Sequence, residues 1–111
     1  MNLSPSPYRT VWIFLFFDLP TVTKAEKKKA ASFRTSLEKE GFQMFQYSVY
    51  IQFCGSRQAA ELKLKKIRKL VPGPGRVSIL LVTDKQYGQI INIWNSERVK
   101  LKSPEMLTLF K

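Results

Sequence analysis

Histidine is absent from the 111-residue sequence, and cysteine occurs once, at Cys54. Without histidine, nucleophilic catalysis by a Ser-His or Cys-His pair is excluded, and so is a histidine general base. A single cysteine permits neither a disulfide nor a thiolate metal cluster within one chain. Any hydrolytic chemistry would therefore have to use carboxylates, hydroxyls, lysine or a metal ion.

Long apolar runs and acidic residues are also scarce. No apolar stretch approaches the roughly 20 residues that a membrane helix requires. Residues 1–8 contain two prolines and no apolar core, which argues against a signal peptide. We therefore expect a cytoplasmic protein without membrane contact. Eight Asp and Glu against 19 Lys and Arg leave a net charge of +11, which favours nucleic acid as a partner.

The length fits one domain, and a hydrophobic fraction of 44% indicates a folded chain. Residues 10–17 are apolar on both alternating faces, which is typical of a strand covered on both sides. Thr23 and Glu26 form a capping-box pattern at the start of a helix, and Gly41 suits the C′ position at its end.

The rest of the chain continues this alternation of strands and helices. No turn dipeptide separates the apolar segments 42–46 and 48–53, so they predict either two strands with a sharp bend or one long bulged strand. After them we expect a helix at 57–70, a strand at 77–83, a helical turn at 84–87, and short strands at 89–94 and 105–110.

This order predicts an α+β, ferredoxin-like split βαβ fold, in which an antiparallel sheet carries two helices on one face. We expect residues 1–9 to form a loose arm, 10–94 the ferredoxin-like domain, and 95–111 a C-terminal strand extension that pairs with a partner subunit. Because a large apolar sheet face would otherwise be exposed, we expect a homodimer.

Several motifs occur together in this frame and resemble one family, the small CRISPR-associated adaptation proteins, often called CRISPR-associated endoribonucleases. The motifs span about residues 10 to 94 in the expected order. They are similar to the motifs of family members from type II systems. They are Phe17-Asp18-Leu19-Pro20-Thr21, Phe33-Arg34 with Leu37, Glu40-Gly41-Phe42, Gln46-Tyr47-Ser48-Val49-Tyr50, Gly75-Arg76-Val77 and Thr83-Asp84-Lys85-Gln86-Tyr87.

The resemblance implies a ferredoxin-like homodimer that partners the CRISPR integrase subunit and lies along captured duplex DNA. The integrase would supply the strand-transfer chemistry. The resemblance also implies that some members are metal-dependent nucleases on RNA or DNA. Asp18 matches the family's metal-binding and catalytic aspartate, so two copies of it across a dimer axis would hold Mg²⁺.

The residues themselves leave other interpretations open. Asp18 would also suit a turn hydrogen bond to the backbone of Thr21, and Asp84 would suit an N-cap. Tyr47 and Tyr50 suit packing positions, and Gln46 and Gln86 suit satisfied structural amides. The basic residues either contact a nucleic-acid backbone or simply solvate the helices. The candidates for nucleic-acid binding are Lys24, Lys27, Lys28, Lys29, Arg34, Lys63 and Lys66.

Three functional hypotheses follow. The first is a dimeric scaffold that binds duplex DNA with the integrase during spacer acquisition. The second is a Mg²⁺-dependent phosphodiesterase that uses Asp18. The third is a related toxin ribonuclease of the virulence-associated D type, which would share the fold and the early aspartate.

Overall fold

The computed structural model describes residues 9–95. Their elements alternate as the sequence predicts, and the sheet has the strand order β2-β3-β1-β4 with every neighbouring pair antiparallel. This is the ferredoxin-like α+β arrangement. The elements are β1 (Val11–Asp18), α1 (Lys24–Lys39), β2 (Gln43–Gln46), β3 (Val49–Cys54), α2 (Arg57–Leu70), β4 (Arg76–Thr83) and α3 (Asp84–Tyr87).

Strand β1 lies in the middle of the sheet because both of its faces are apolar. One alternating set of its side chains packs beneath α1 and α2, where Ile13 and Leu15 are fully buried. The helices supply the other half of this core. Its buried members are Val11, Ile13, Leu15, Phe17, Leu19, Ala30, Phe33, Leu37, Phe42, Tyr50, Cys54, Ala60 and Ile67.

Helix α1 begins and ends at the residues that the sequence indicates. The Thr23 hydroxyl accepts a hydrogen bond from the Glu26 amide at 3.0 Å, and the Glu26 carboxylate accepts one from the Thr23 amide at 2.9 Å. At the other end Gly41 has φ +94°. The Phe42 amide donates to the Leu37 carbonyl, which completes a Schellman motif.

Strands β2 and β3 pair as an antiparallel hairpin. The two apolar segments are therefore two strands with a sharp bend and not one long bulged strand. The chain turns at Tyr47 and Ser48, and Ser48 has φ 65°. A bulge between Met44 and Gln46 adjusts the register. A left-handed serine carries no clear sequence signature, which is why the residues alone did not separate a turn from a bulge.

Helix α3 turns the chain back over the sheet at the end of β4. Its N-cap is Thr83, which forms a capping box with Gln86, so the N-cap assignment to Asp84 was wrong. The Asp84 carboxylate instead accepts a hydrogen bond from Trp12 Nε1 at 2.7 Å. Tyr87 stacks on the Trp12 ring with centroids 3.7 Å apart.

The strand expected at 89–94 does not form, because no neighbouring strand in residues 9–95 pairs with it. Ile91 and Ile93 are instead 83% and 90% exposed. The expected strand at 105–110 lies outside the described residues, as do nearly all of the predicted arm and extension. Among residues 9–95, no helix has the length and apolar character to cross a bilayer.

Candidate functional site

The sheet face opposite the helices is apolar and only partly covered. Trp12, Phe14 and Phe16 of β1 lie on it, with side chains from β3 and β4 beside them in register. Neighbouring side chains shield Phe14, which is 8% exposed. Phe53 and Leu80 remain 47% and 52% exposed. We call this surface the open face.

A shallow apolar groove of about 310 Å³ crosses the open face. Strand β1 supplies its floor, and Ile90, just beyond α3, lines one side. Gln46 also lines this groove and is exposed. Its side chain makes no hydrogen bond among the described residues, so its assignment as a satisfied structural amide was wrong. Gln86 accepts a hydrogen bond from the Thr83 amide at 2.9 Å, which confirms its structural role.

Asp18 is the last residue of β1 and lies at one end of the open face. It is exposed and stands directly opposite Arg76 of β4. The strand continues through Asp18, and among the described residues its carboxylate makes no turn hydrogen bond to Thr21. Its position therefore leaves the carboxylate accessible to a ligand.

A single chain offers few ligands for a Mg²⁺ ion at this position. Residues 9–95 contain no group of three or more His, Cys, Asp or Glu side chains placed to hold a metal. The cation Arg76 also stands beside Asp18 in the sheet. Because Mg²⁺ in proteins is held by one or two carboxylates together with water and phosphate oxygens, Asp18 alone is a sparse donor set, and a second carboxylate would strengthen it.

Most of the predicted basic residues are exposed on the helical side of the molecule, away from the open face. Lys63 differs, because its ammonium group donates to the Glu40 carbonyl at 2.9 Å and to Glu40 Oε1 at 3.2 Å. It therefore holds the end of α1 and is less available to a ligand. Among the predicted nucleic-acid-binding residues, the exposed ones are Lys24, Lys27, Lys28, Lys29 and Lys66.

Arg34 is held within the protein more firmly than its neighbours on α1. Its guanidinium carbon lies 4.1 Å from the centroid of the Tyr47 ring and 4.8 Å from that of Phe17. Its Nη2 donates to Ser48 Oγ at 3.2 Å. These partners were missed in the sequence, since no spacing rule brings a helix residue onto the turn of a following hairpin.

The two tyrosines near Arg34 have different surroundings. Tyr50 is 3% exposed, which confirms it as a packing residue, and burial raises the pKa of its phenol, with Glu38 adding to the rise. Tyr47 is 67% exposed, so its packing assignment was wrong. Its ring instead covers the Arg34 guanidinium at the surface.

An open pocket of about 330 Å³ adjoins this stacked pair. Its lining combines two cations with two hydroxyl-bearing residues and contains no acid. The lining residues are Thr21, Lys27, Ala30, Ala31, Arg34 and Tyr47. The free cysteine Cys54 lies apart from it in the core, where burial raises the pKa of its thiol.

Comparison with known proteins identifies the family to which this architecture belongs. The family described as CRISPR associated protein Cas2 matches residues 11–90. A CRISPR-associated endoribonuclease Cas2 of Flavobacterium psychrophilum is 44% identical over 104 residues, which is 93% of this chain and 90% of that protein.

Two further relatives carry the same name and match at similar length. The protein of Paracidovorax avenae is 40% identical over 104 residues, covering 93% of this chain and 96% of its own. That of Parvibaculum lavamentivorans is 40% identical over 101 residues, covering 90% of this chain and 100% of its own. The matched region contains the whole sheet and both long helices, and the chain therefore belongs to the CRISPR-associated Cas2 family.

Proposed function

We propose that this chain is a dimeric scaffold that binds duplex DNA together with the CRISPR integrase subunit during spacer acquisition. The observation that carries this proposal is the opposite character of its two sides. An apolar open face lies on one side of the sheet, and exposed cations lie on the helices of the other side. Membership of the Cas2 family supports the CRISPR setting, and the type II subtype stays a prediction.

The open face supports the dimer. Phe16, Phe53 and Leu80 are large apolar residues that remain 38%, 47% and 52% exposed on one continuous surface. Contiguous apolar patches on soluble proteins commonly mark interaction surfaces, and a two-fold axis allows one such patch to cover another copy of itself. Packing of two open faces would leave the basic helices of both protomers pointing outward.

The outward cations support binding to a DNA backbone. A net charge of +11 attracts a polyanion, and lysine side chains contact phosphates without selecting a sequence. This indifference suits a protein that must accept captured DNA of any sequence. The proposal assigns this contact mainly to the lysines of α1 and to Lys66 of α2.

The second candidate function is a Mg²⁺-dependent phosphodiesterase acting on RNA or DNA, and two observations favour it. The relatives are named endoribonucleases, and Asp18 is exposed at the end of the open face. Dimerisation through that face would bring two Asp18 carboxylates toward the axis, and a bound Mg²⁺ would polarise a phosphodiester and activate water. One acid from each protomer makes a sparse cage, so we place this function second.

Binding and mass measurements test the scaffold. Light scattering at micromolar concentration should give about twice the chain mass of 12.9 kDa. Titration of fluorescent duplexes of unrelated sequence should give similar affinities, with log K falling steeply as log salt rises. A monomer, a flat salt response or a strong preference for one sequence would contradict the proposal. Co-purification with the integrase subunit tests the partner.

A further inference from the structure

The guanidinium group of Arg34 is preorganised. It lies between the rings of Phe17 and Tyr47, at 4.8 and 4.1 Å from their centroids, and Ser48 Oγ accepts from Nη2. A planar cation fixed in this way loses little further freedom when it forms another hydrogen bond. Such fixing is typical of an arginine that recognises an anion.

One donor of this group has no acceptor. Arg34 Nη1 is buried and has no hydrogen-bond partner among the described residues. A buried charged donor without a partner is costly, and native proteins almost always satisfy it. The unsatisfied nitrogen therefore points to an acceptor supplied from outside the chain.

The adjoining pocket has the chemistry of an anion site. Its volume of about 330 Å³ exceeds that of a phosphate group, and Lys27 places a second cation on its wall. Thr21 adds a hydroxyl, and no acidic residue lines it. The nearby carboxylate of Glu38 acts on Tyr50 and is not part of this lining.

We propose that this pocket binds one phosphate group of the DNA backbone. Arg34 would donate through Nη1, and Lys27 would supply charge. The exposed Tyr47 ring would shift to admit the phosphate, while Phe17 and Ser48 would keep the guanidinium in place. DNA is favoured over a free phosphate ion because exposed lysines continue along α1 beyond the pocket. The inference rests on the proposed DNA-binding function and adds to it a defined subsite.

Lysine variants of the full-length protein test the subsite. Lys27→Gln is compared with Lys65→Gln, since both lysines are exposed, but Lys65, on α2, neither lines the pocket nor belongs to the lysines assigned to the DNA contact. We expect Lys27→Gln to weaken duplex binding by about fivefold and to reduce the salt slope by about 0.9. Lys65→Gln should weaken binding by less than about twofold. Equal losses in the two variants would overturn the subsite.

Arginine variants extend the test. Arg34→Gln removes the charge, and Arg34→Lys keeps it but lacks the planar fork, so both should weaken duplex binding by about tenfold. Circular dichroism checks folding. If Arg34→Gln unfolds, Arg34→Lys carries the test. Full duplex affinity in a folded Arg34→Lys protein would overturn the proposal.

Nuclear magnetic resonance distinguishes a phosphate group of duplex DNA from a free phosphate ion as the ligand of this pocket. In the wild-type protein, the Arg34 Nε–H signal should shift on titration with a short duplex and much less with inorganic phosphate at equal concentration. A shift as strong with inorganic phosphate would show a free-phosphate site and overturn the DNA assignment. If wild type binds no duplex at all, the proposed function fails. Duplex binding without a shift at Arg34 contradicts the subsite alone.

Discussion

The two faces of the sheet carry similar apolar side chains, yet only one face is covered within residues 9–95. On the helical side Leu15 and Leu37 are fully buried, whereas Leu80 on the open face is 52% exposed. The covered face gains its stability from contacts inside the chain. The open face has equivalent residues whose burial requires another surface, so the contrast separates the residues that fold the chain from those to which we assign the proposed dimer contact.

The largest effect is expected from a truncation in the covered face. Leu37 belongs to α1, and its fully buried side chain packs in the core between the helices and the covered face. We expect Leu37→Ala to lower the free energy of unfolding by about 2–5 kcal/mol because it leaves a cavity. Urea unfolding at one fixed protein concentration measures this. A loss no greater than that of Leu62→Ala, an exposed leucine of α2, would break the contrast between the two faces.

The next effect concerns assembly. Leu80→Glu places a carboxylate on the open face, and it should raise the dimer dissociation constant by about a hundredfold because a buried unpaired charge is costly. The matched control is Ile79→Glu, since Ile79 is 42% exposed on the opposite face of the same strand. Sedimentation of both variants should show monomers for Leu80→Glu and dimers for Ile79→Glu. A Leu80→Glu dimer of native affinity would remove the open face from the interface.

A smaller effect is expected where α3 attaches to the open face. Trp12→Phe keeps an aromatic ring against Tyr87 but removes the hydrogen bond to Asp84, which is 2.7 Å long. We expect a loss of about 1–2 kcal/mol in the free energy of unfolding. Trp94→Phe is the control, because Trp94 is 54% exposed. Equal unfolding midpoints for the two variants would show that the Trp12 bond contributes no stability.

The smallest effect is a pH dependence at the start of α1. The backbone hydrogen bond from Thr23 is the main cause that lowers the pKa of Glu26. The charged carboxylate therefore stabilises the fold at neutral pH, and this contribution is lost as the pH falls through the lowered pKa. The difference in the free energy of unfolding between wild type and Glu26→Gln should therefore be smaller at about pH 3 than at about pH 7. An unchanged difference would contradict this account, and Glu61→Gln on α2 serves as control.

Local pattern was enough to predict most of the fold. The two apolar faces of β1 and the capping box at Thr23 and Glu26 depend on neighbours in sequence, and the structure confirms both. The helix expected at 57–70 likewise agrees with α2, which runs over Arg57–Leu70. The missing strand at 89–94 shows the limit, because a strand needs a partner edge and an alternating pattern does not reveal whether one exists.

The candidate site was less predictable because it depends on long-range contacts. The residue type of Lys63 suggests a phosphate contact, but only the fold shows that its ammonium binds Glu40. The stacking of Tyr47 on Arg34 depends on the hairpin turn at Ser48. The pocket beside them is therefore visible only in the folded chain.

The most direct test of the scaffold account is integration of a duplex prespacer by the integrase subunit in the presence of this protein carrying Asp18→Asn. The amide keeps the size of the side chain and removes the charge that a metal needs. We predict integration at close to the wild-type rate, because under the proposed scaffold account the integrase would supply the chemistry and the dimer would hold the DNA. Loss of integration in an Asp18→Asn protein that is folded, dimeric and bound to the integrase would contradict the account.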